Sequence, residues 1–277
     1  MKRRLIQLCA ALLYNLNLKG FAEASIYKGR SKGLCVPGLN CYSCPGAVGS
    51  CPLGTLQNAL SAMDRKLPFY ILGVLLLFGV TMGRTICGFL CPFGLVQELL
   101  YRIPVPKIKK NRVTQELSKV KYVILAVFVV ILPVVFKAAS GLPVPAFCKY
   151  ICPAGTLEGG IPLVLLDDSL SGLAGALFHW KVLVLAVILV SACFLYRSFC
   201  RILCPLGAIY SLFAPVALLG VRIDRDTCVD CGRCVRTCKM DVRQVGDREC
   251  IQCGECMKEC NVDAIYWKKP WDVKSKK

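Results

Sequence analysis

Eight of the chain's twenty cysteines fall within its last fifty residues, as Cys228, Cys231, Cys234 and Cys238 followed by Cys250, Cys253, Cys256 and Cys260. Each set reads CxxCxxCxxxC, a spacing that lets thiolates wrap a [4Fe–4S] cubane, with the fourth cysteine of each run completing the cluster of the other. The crossed rule assigns one cluster to Cys228, Cys231, Cys234 and Cys260 and a second to Cys250, Cys253, Cys256 and Cys238. A single CxxC would serve a zinc ribbon or a redox dithiol equally well. Zinc has no use for a crossed eightfold pattern, and a disulfide scaffold belongs to short secreted chains rather than to one of 277 residues. These residues point to one-electron transfer.

A shorter motif, CxxxCPxG, recurs upstream as CGFLCPFG from Cys87 to Gly94, CKYICPAG from Cys148 to Gly155 and CRILCPLG from Cys200 to Gly207. A degenerate fourth copy keeps Cys51, Pro52 and Gly54 but has Ala47 where the first cysteine would stand, so its missing thiolate comes from Cys44 or Cys41. Proline suits the first turn of a helix, where its absent N–H loses no partner, and each CP is followed by a helix-like stretch such as 94–102 or 206–213. The second cysteine then sits at a helix N-terminus, where free N–H groups and the positive dipole end suit an anionic cluster. Two thiolates cannot complete a four-coordinate site, so the motifs must pair. The competing reading, a buried structural cysteine beside a helix-starting proline, fits one copy better than three.

A membrane is what positions these motifs. Hydrophobic residues make up 56% of the chain and the mean hydropathy is +0.56. Apolar blocks at 67–85, 120–135 and 182–196 approach the about 20 helical residues needed to cross a ~30 Å hydrocarbon core. Lys2, Arg3 and Arg4 ahead of Leu5–Leu18 outline a secretory signal, but Asn15, Asn17 and Lys19 interrupt it and no small-residue cleavage site follows, so it reads as an uncleaved first span. Four crossings, near 5–24, 67–86, 120–138 and 178–197, place Cys87/Cys91 and Cys200/Cys204 on the cytoplasmic side and Cys44/Cys51 and Cys148/Cys152 on the other. Arg84 and Arg197, each three residues ahead of an inner cysteine, align the two halves as pseudo-repeats.

Pairing by side gives an inner cubane on Cys87, Cys91, Cys200 and Cys204 and an outer one on Cys148, Cys152, Cys51 and Cys44. Cys9 and Cys193 fall inside spans and read as buried apolar residues. Cys35 and Cys41 stay open between a disulfide and an outer-cluster role. Clusters at opposite faces of the bilayer would lie too far apart for one efficient tunnelling step. Either the motifs dip into the membrane as broken helices, which their flanking Gly and Pro favour, or a quinone, flavin or partner cofactor bridges the gap. The expected fold is mostly α. It comprises polytopic membrane helices, about four spans in two pseudo-repeats over residues 1–220, then a small α+β two-cluster domain over 221–267 and a basic tail at 268–277.

The formal charge of +18 invites a nucleic-acid partner. Four cubanes at roughly −2 each lower it to about +10, and much of the rest lies in the basic loop 102–121, which fixes orientation by the positive-inside rule. No nucleic-acid role is read from it. The single histidine, His179, excludes bis-histidine haem within this chain and argues against a histidine-based hydrolase or zinc enzyme. Beside Trp180 it reads as an interfacial residue at a span end. No catalytic constellation stands out. Cluster-patterned cysteines in a long chain place the tail in the reducing cytoplasm.

The stretches GRTICGFLCPFGLVQ and YRSFCRILCPLGAIY, the basic loop and the double cysteine tail make the chain resemble the membrane polyferredoxins of the NapH/NosR/CcoG type over most residues from about 68 to 267. The segment CVPGLNCYSCPGAVGSCPLG, from Cys35 to Gly54, is similar to that of 4Fe–4S binding membrane proteins of anaerobes. The resemblance implies a two-cluster ferredoxin tail facing the cytoplasm and ligand roles for Cys87, Cys91, Cys200, Cys204 and the eight tail cysteines. It further implies electron transfer between a quinol or cytoplasmic donor and an outer acceptor, such as a flavin-binding protein. CcoG-type members imply an alternative, a maturation factor that reduces or delivers a metal to a partner oxidoreductase, for which Cys35 and Cys41 would be the natural contacts. Bacterial ferredoxins usually carry proline after the fourth cysteine of each run; here Lys239 follows Cys238 and Asn261 follows Cys260.

Overall fold

The Cys-Pro pairs at Cys51, Cys91, Cys152 and Cys204 each start a helix, whereas Cys44-Pro45 lies in a turn, and the computed structural model shows the result over residues 2–61, 68–108, 110–167, 172, 175–240 and 242–268, which are the residues described. Apart from single turns, the order begins with α1 (Lys2–Tyr14), α2 (Pro52–Ser61), α3 (Phe69–Thr81), α4 (Thr85–Phe89), α5 (Pro92–Leu100) and α6 (Arg112–Ser140). It continues with α7 (Ala146–Tyr150), α8 (Gly155–Leu166), α9 (Ala176–Phe194), α10 (Ser198–Ile202) and α11 (Pro205–Phe213). The strands β1 (Gly220–Ile223) and β2 (Ile265–Lys268) then bracket α12 (Arg233–Thr237). The protein is mostly helical. The expected basic tail lies outside the described residues from 269 onward.

Three units share one plan: a long apolar helix, a short helix bearing the first cysteine, and a helix started by the second cysteine and its proline. They are α3–α4–α5, α6–α7–α8 and α9–α10–α11, with α1, a long loop and α2 as a variant. Two of the apolar helices, α6 with 29 residues and α9 with 19, are long and apolar enough to cross a membrane. Their outward faces carry exposed Val123, Val130, Ile131, Leu183, Val187 and Val190, a surface that water would disfavour. The segments expected to span near 5–24 and 67–86 form helices of 13 residues each, α1 and α3. At 1.5 Å per residue these reach roughly 20 Å, shorter than the ~30 Å hydrocarbon core.

Two prolines shape the helices they sit in. Pro133 and Pro162 offer no N–H, and in each case the preceding turn widens to π-type bonding, at Leu125–Ile131 and Gly155–Gly160. The second widening lies in α8, against the loop that carries Cys41.

Residues 220–268 close on themselves through β1 and β2, antiparallel with Gly220 opposite Lys268 and Ile223 opposite Ile265. This tail is fixed to the helical part at α4. Arg84 donates from Nε to the Arg248 carbonyl at 2.9 Å and pairs with Glu249 at 2.7 Å. Lys121, fully buried, ion-pairs with the same carboxylate. Phe89 packs edge-on to Trp267 at 5.6 Å. Gly88 admits the Ile251 carbonyl so closely that a Cβ there would stand 2.3 Å from it. Glycine is required at this point because the tail's backbone occupies the space of a side chain.

Candidate metal centres

The CPxG pattern has a local physical explanation. The second cysteine takes the N-cap position with extended backbone, at φ −87° for Cys91 and −73° for Cys204, and proline follows in the first turn. The glycine three residues on donates its N–H to the thiol, from Gly207 to Cys204 Sγ at 3.3 Å and from Gly155 to Cys152 Sγ at 3.4 Å. The N–H groups of Gly94 and Gly54 serve Cys91 and Cys51 in the same way. A sulfur thus replaces the oxygen of an ordinary helix cap, at the end where N–H groups and dipole favour negative charge. Having no Cβ, these glycines also let another group approach: at Gly94 a Cβ would lie 3.2 Å from the Arg197 guanidinium, and at Gly207 3.3 Å from Arg84 Nη1.

That exchange makes the inner site two-fold. Cys87, Cys91, Cys200 and Cys204 are all buried, and each thiol lies within electrostatic reach of the others. Arg84, from the first half, packs on the glycine of the second, and Arg197 packs on that of the first. Both guanidinium groups are fully buried. Arg197 holds a left-handed backbone with φ +52°, a strain of about 1–3 kcal/mol that directs its side chain inward, where Nε donates to Glu98 at 2.9 Å. Gln97 completes the wall: Nε2 donates to Cys200 Sγ at 3.0 Å and Oε1 accepts from the Phe199 N–H at 3.0 Å. Four thiols, two buried cations and directed N–H donors fit a dianionic cubane, since a buried charge needs both counter-charge and hydrogen bonds.

A second group forms between α2, α7 and α8. A cavity of about 320 Å³ is walled by Cys41, Cys51, Cys148 and Cys152. Gln57 repeats the part of Gln97: Nε2 donates to Cys148 Sγ at 3.3 Å and Oε1 accepts from the Phe147 N–H at 2.9 Å. Cys44, expected as the fourth thiol here, is buried but does not line the cavity. Its N–H closes a turn onto the Cys41 carbonyl at 3.1 Å, and its thiol takes the N–H groups of Gly46 and Ala47 instead. Burial, and after it the Glu158 carboxylate, push the Cys41 thiol up to about 12. Cys35 lies apart, its thiol 3.7 Å from Thr55 Oγ1. Cys9 is exposed on α1 rather than buried, and Cys193 is half-buried with its thiol on the Leu189 carbonyl at 3.5 Å.

In the tail, Cys228, Cys231, Cys234 and Cys260 wall a cavity of about 270 Å³. A smaller cleft is lined by Cys238, Cys253 and Cys256 with Tyr196, and Cys250 lies within electrostatic reach of Cys256. Burial pushes Cys256 up to about 12 and Cys238 up to about 11, so binding a cluster there must release protons. The two loops are built alike. Asp230 and Gln252, each before a second cysteine, and Gly232 and Gly254, each after one, all have positive φ. Among the described residues no three cysteine, histidine or acidic side chains converge as a single metal ion would require. The thiols ring open volumes, which suits a multi-atom cluster better than zinc with its ≈ 2.3 Å Zn–S bonds.

Gln57 and Gln97 are the side chains at these candidate sites that cysteine counting missed. Each lies six residues after a CP cysteine, at the same place in two copies of the motif, and that repetition was the available signal.

A family profile described as "4Fe-4S binding domain" matches residues 50–70, 67–111, 122–161 and 176–223, each stretch holding a CPxG and together more than half of the chain. An uncharacterized protein of Methanocaldococcus jannaschii is 29% identical over 170 residues, 61% of this chain and 64% of its own length. YccM of Escherichia coli, named for electron transport, is 23% identical over 70% of this chain and 54% of its own. The methylamine utilization ferredoxin-type protein MauN of Paracoccus denitrificans is 26% identical over 70% of this chain and 62% of its own. The chain thus matches between about half and just under two thirds of these relatives. No solved structure matches it significantly.

Proposed function

The chain belongs to the 4Fe–4S binding domain family, and from that premise we propose that it is a membrane-bound iron–sulfur protein carrying single electrons between a cytoplasmic donor and a membrane or outer-face acceptor, a quinone or a flavin- or metal-bearing partner. In this reading Cys87, Cys91, Cys200 and Cys204 hold an inner cluster. The tail is a two-cluster ferredoxin domain, holding one cluster on Cys228, Cys231, Cys234 and Cys260 and the other on Cys250, Cys253, Cys256 and Cys238. When bound, a [4Fe–4S] group supplies a one-electron carrier whose potential follows charge, hydrogen bonds and solvent access.

The observation that carries the reading is the crossed inner site. Thiols from two motif copies meet inside the protein, each half lending its arginine to the other half's helix start. The chain's own residues then have defined tasks. Arg84 and Arg197 supply the counter-charge, Gln97 and the CPxG glycines orient the thiols, and Glu98 holds Arg197 and Arg3 in place. The ion pairs at Glu249 and the close approach at Gly88 keep the loop of Cys250 and Cys253 against the one of Cys87 and Cys91. Relatives named for electron transport and as ferredoxin-type proteins support the same reading. With α6 and α9 as full crossings and the 13-residue α1 and α3 as shorter ones, Arg3, Arg4, Lys107, Lys110 and Lys121 gather on the side of the tail, which the positive-inside rule favours as cytoplasmic although Lys19, Lys28, Arg30 and Lys32 follow α1 on the other side.

Anaerobic iron and sulfide analysis with an EPR-monitored redox titration tests the proposal. Cys87→Ala/Cys91→Ala should lose about four iron atoms and one titrating signal while the tail signals persist. An unchanged iron count in that variant would overturn the inner assignment.

A further inference from the structure

The cavity between α2, α7 and α8 repeats the inner site's thiols, its capped helix starts and its glutamine, but not its two buried arginines; Lys149 and Lys181 line it instead. We propose that it is a further [4Fe–4S] site, resting on the electron-transfer reading above, whose ligands are Cys41, Cys51, Cys148 and Cys152. Cys41 takes the place of the cysteine that the degenerate motif lacks.

The correspondence runs through three positions. Cys51 and Cys152 start their helices with Pro52 and Pro153 and accept N–H groups from Gly54 and Gly155, as Cys91 and Cys204 do from Gly94 and Gly207. Gln57 holds Cys148 and the Phe147 N–H just as Gln97 holds Cys200 and the Phe199 N–H. By this mapping Cys51, Cys148 and Cys152 stand for Cys91, Cys200 and Cys204, and only the counterpart of Cys87 remains to be found.

Cys41 fills it on two grounds. It lines the cavity whereas Cys44 does not, and a Cβ placed on Gly155 or Gly159 would lie 3.8 or 3.4 Å from its sulfur. Its backbone is anchored from the facing motif: Glu158, six residues after Cys152 as Gln57 is after Cys51, accepts the Cys41 N–H at 2.7 Å. The sites are also neighbours. The Leu39 N–H lies within hydrogen-bonding reach of the Cys91 thiol, and the N–H of the next residue, Asn40, within reach of the Cys51 thiol. Tyr210, fully buried, donates to the Pro37 carbonyl at 2.8 Å and fixes this strap. One peptide therefore touches a candidate ligand of each site, and no span-wide gap separates them.

The test uses the full-length protein, purified anaerobically in detergent, as wild type, Cys41→Ala, Cys44→Ala, Cys148→Ala/Cys152→Ala and Cys87→Ala/Cys91→Ala, read by iron and sulfide content and by Mössbauer and EPR spectra. Wild type should hold about sixteen iron atoms, Cys41→Ala and Cys148→Ala/Cys152→Ala about twelve with the tail signals intact, and Cys44→Ala about sixteen. The ligand set is overturned if Cys44→Ala loses four irons and Cys41→Ala none. The site itself is overturned if Cys148→Ala/Cys152→Ala keeps the wild-type count. If only the Cys87→Ala/Cys91→Ala arm loses iron, the inference falls while the electron-transfer reading stands; if neither pair loses any, both fall. General misfolding shows as loss of the tail signals, in which case Cys41→Ser and Cys44→Ser, which keep side-chain volume, decide the ligand.

Discussion

At the scale of single residues, the proposed inner cluster makes the glutamine beside the Cys200 sulfur a test of how the site would accept charge. Gln97 Nε2 points at Cys200 Sγ from 3.0 Å, and an N–H donor stabilises the more negative, reduced state of a bound cluster. Gln97→Leu should therefore lower the potential of the inner cluster. A hydrogen bond of about 1 kcal/mol corresponds to on the order of 40 mV for a one-electron couple. The same substitution strands the buried Phe199 N–H, at a further cost of about 1–3 kcal/mol in stability. An EPR-monitored titration should show one signal moving down and the tail signals unmoved; a uniform shift of all signals would refute a local role for Gln97. The candidate ligand cysteines stand out in the sequence because ligand chemistry tolerates few other residue types and the spacing is repeated. The sequence left the choice between Cys41 and Cys44 open, because the loop from Cys41 to Cys51 is longer than the CxxxC of the other copies, and it is the fold that puts Cys41 and not Cys44 in the cavity wall.

At the scale of elements, the tail is held to the helices by one carboxylate serving two buried cations. Arg84 and Lys121 are fully buried and Glu249 is their shared partner. Removing one member of a buried pair leaves an uncompensated charge and costs about 3–5 kcal/mol. Glu249→Ala should accordingly lower the thermal midpoint and speed release of the tail by trypsin. Glu249 adjoins Cys250, so Lys121→Met serves as the remote control: it leaves the tail untouched and should loosen the same docking to a smaller degree. If Lys121→Met leaves the proteolysis rate of the tail unchanged, the ion pairs do not fasten the tail. This docking could not be read from the sequence, since Glu249 and Lys121 lie far apart in the chain and follow no repeat. The four helices after Cys51, Cys91, Cys152 and Cys204 were readable because proline fixes where each begins. The lengths of α1 and α3 were less so: the helical backbone stops at Tyr14, where the Asn15 side chain donates back to the Ala11 carbonyl, and at Thr81, just before Gly83 takes a positive φ.

For the molecule as a whole, the proposed membrane location can be tested by the force that would hold it there. A formal charge of +18 would draw the chain to anionic lipid by itself, but that attraction fades as the Debye length falls to about 3 Å in 1 M salt. The apolar faces of α6 and α9 act differently. Leu183, Val187 and Val190 on one helix and Val123, Val130 and Ile131 on the other are exposed to the surroundings, and burying such side chains in lipid yields about 1.5–3 kcal/mol each whatever the salt. The basic side chains, by contrast, are partly committed inside the protein: Arg84, Lys121, Arg197 and Arg201 are buried, and Arg3 is paired with Glu98. The chain should thus stay in the membrane fraction through a wash in 1 M salt and leave it only with detergent. Release by salt alone would mean that charge holds it at the surface, and the exposed faces of α6 and α9 would then have to be covered by protein rather than lipid.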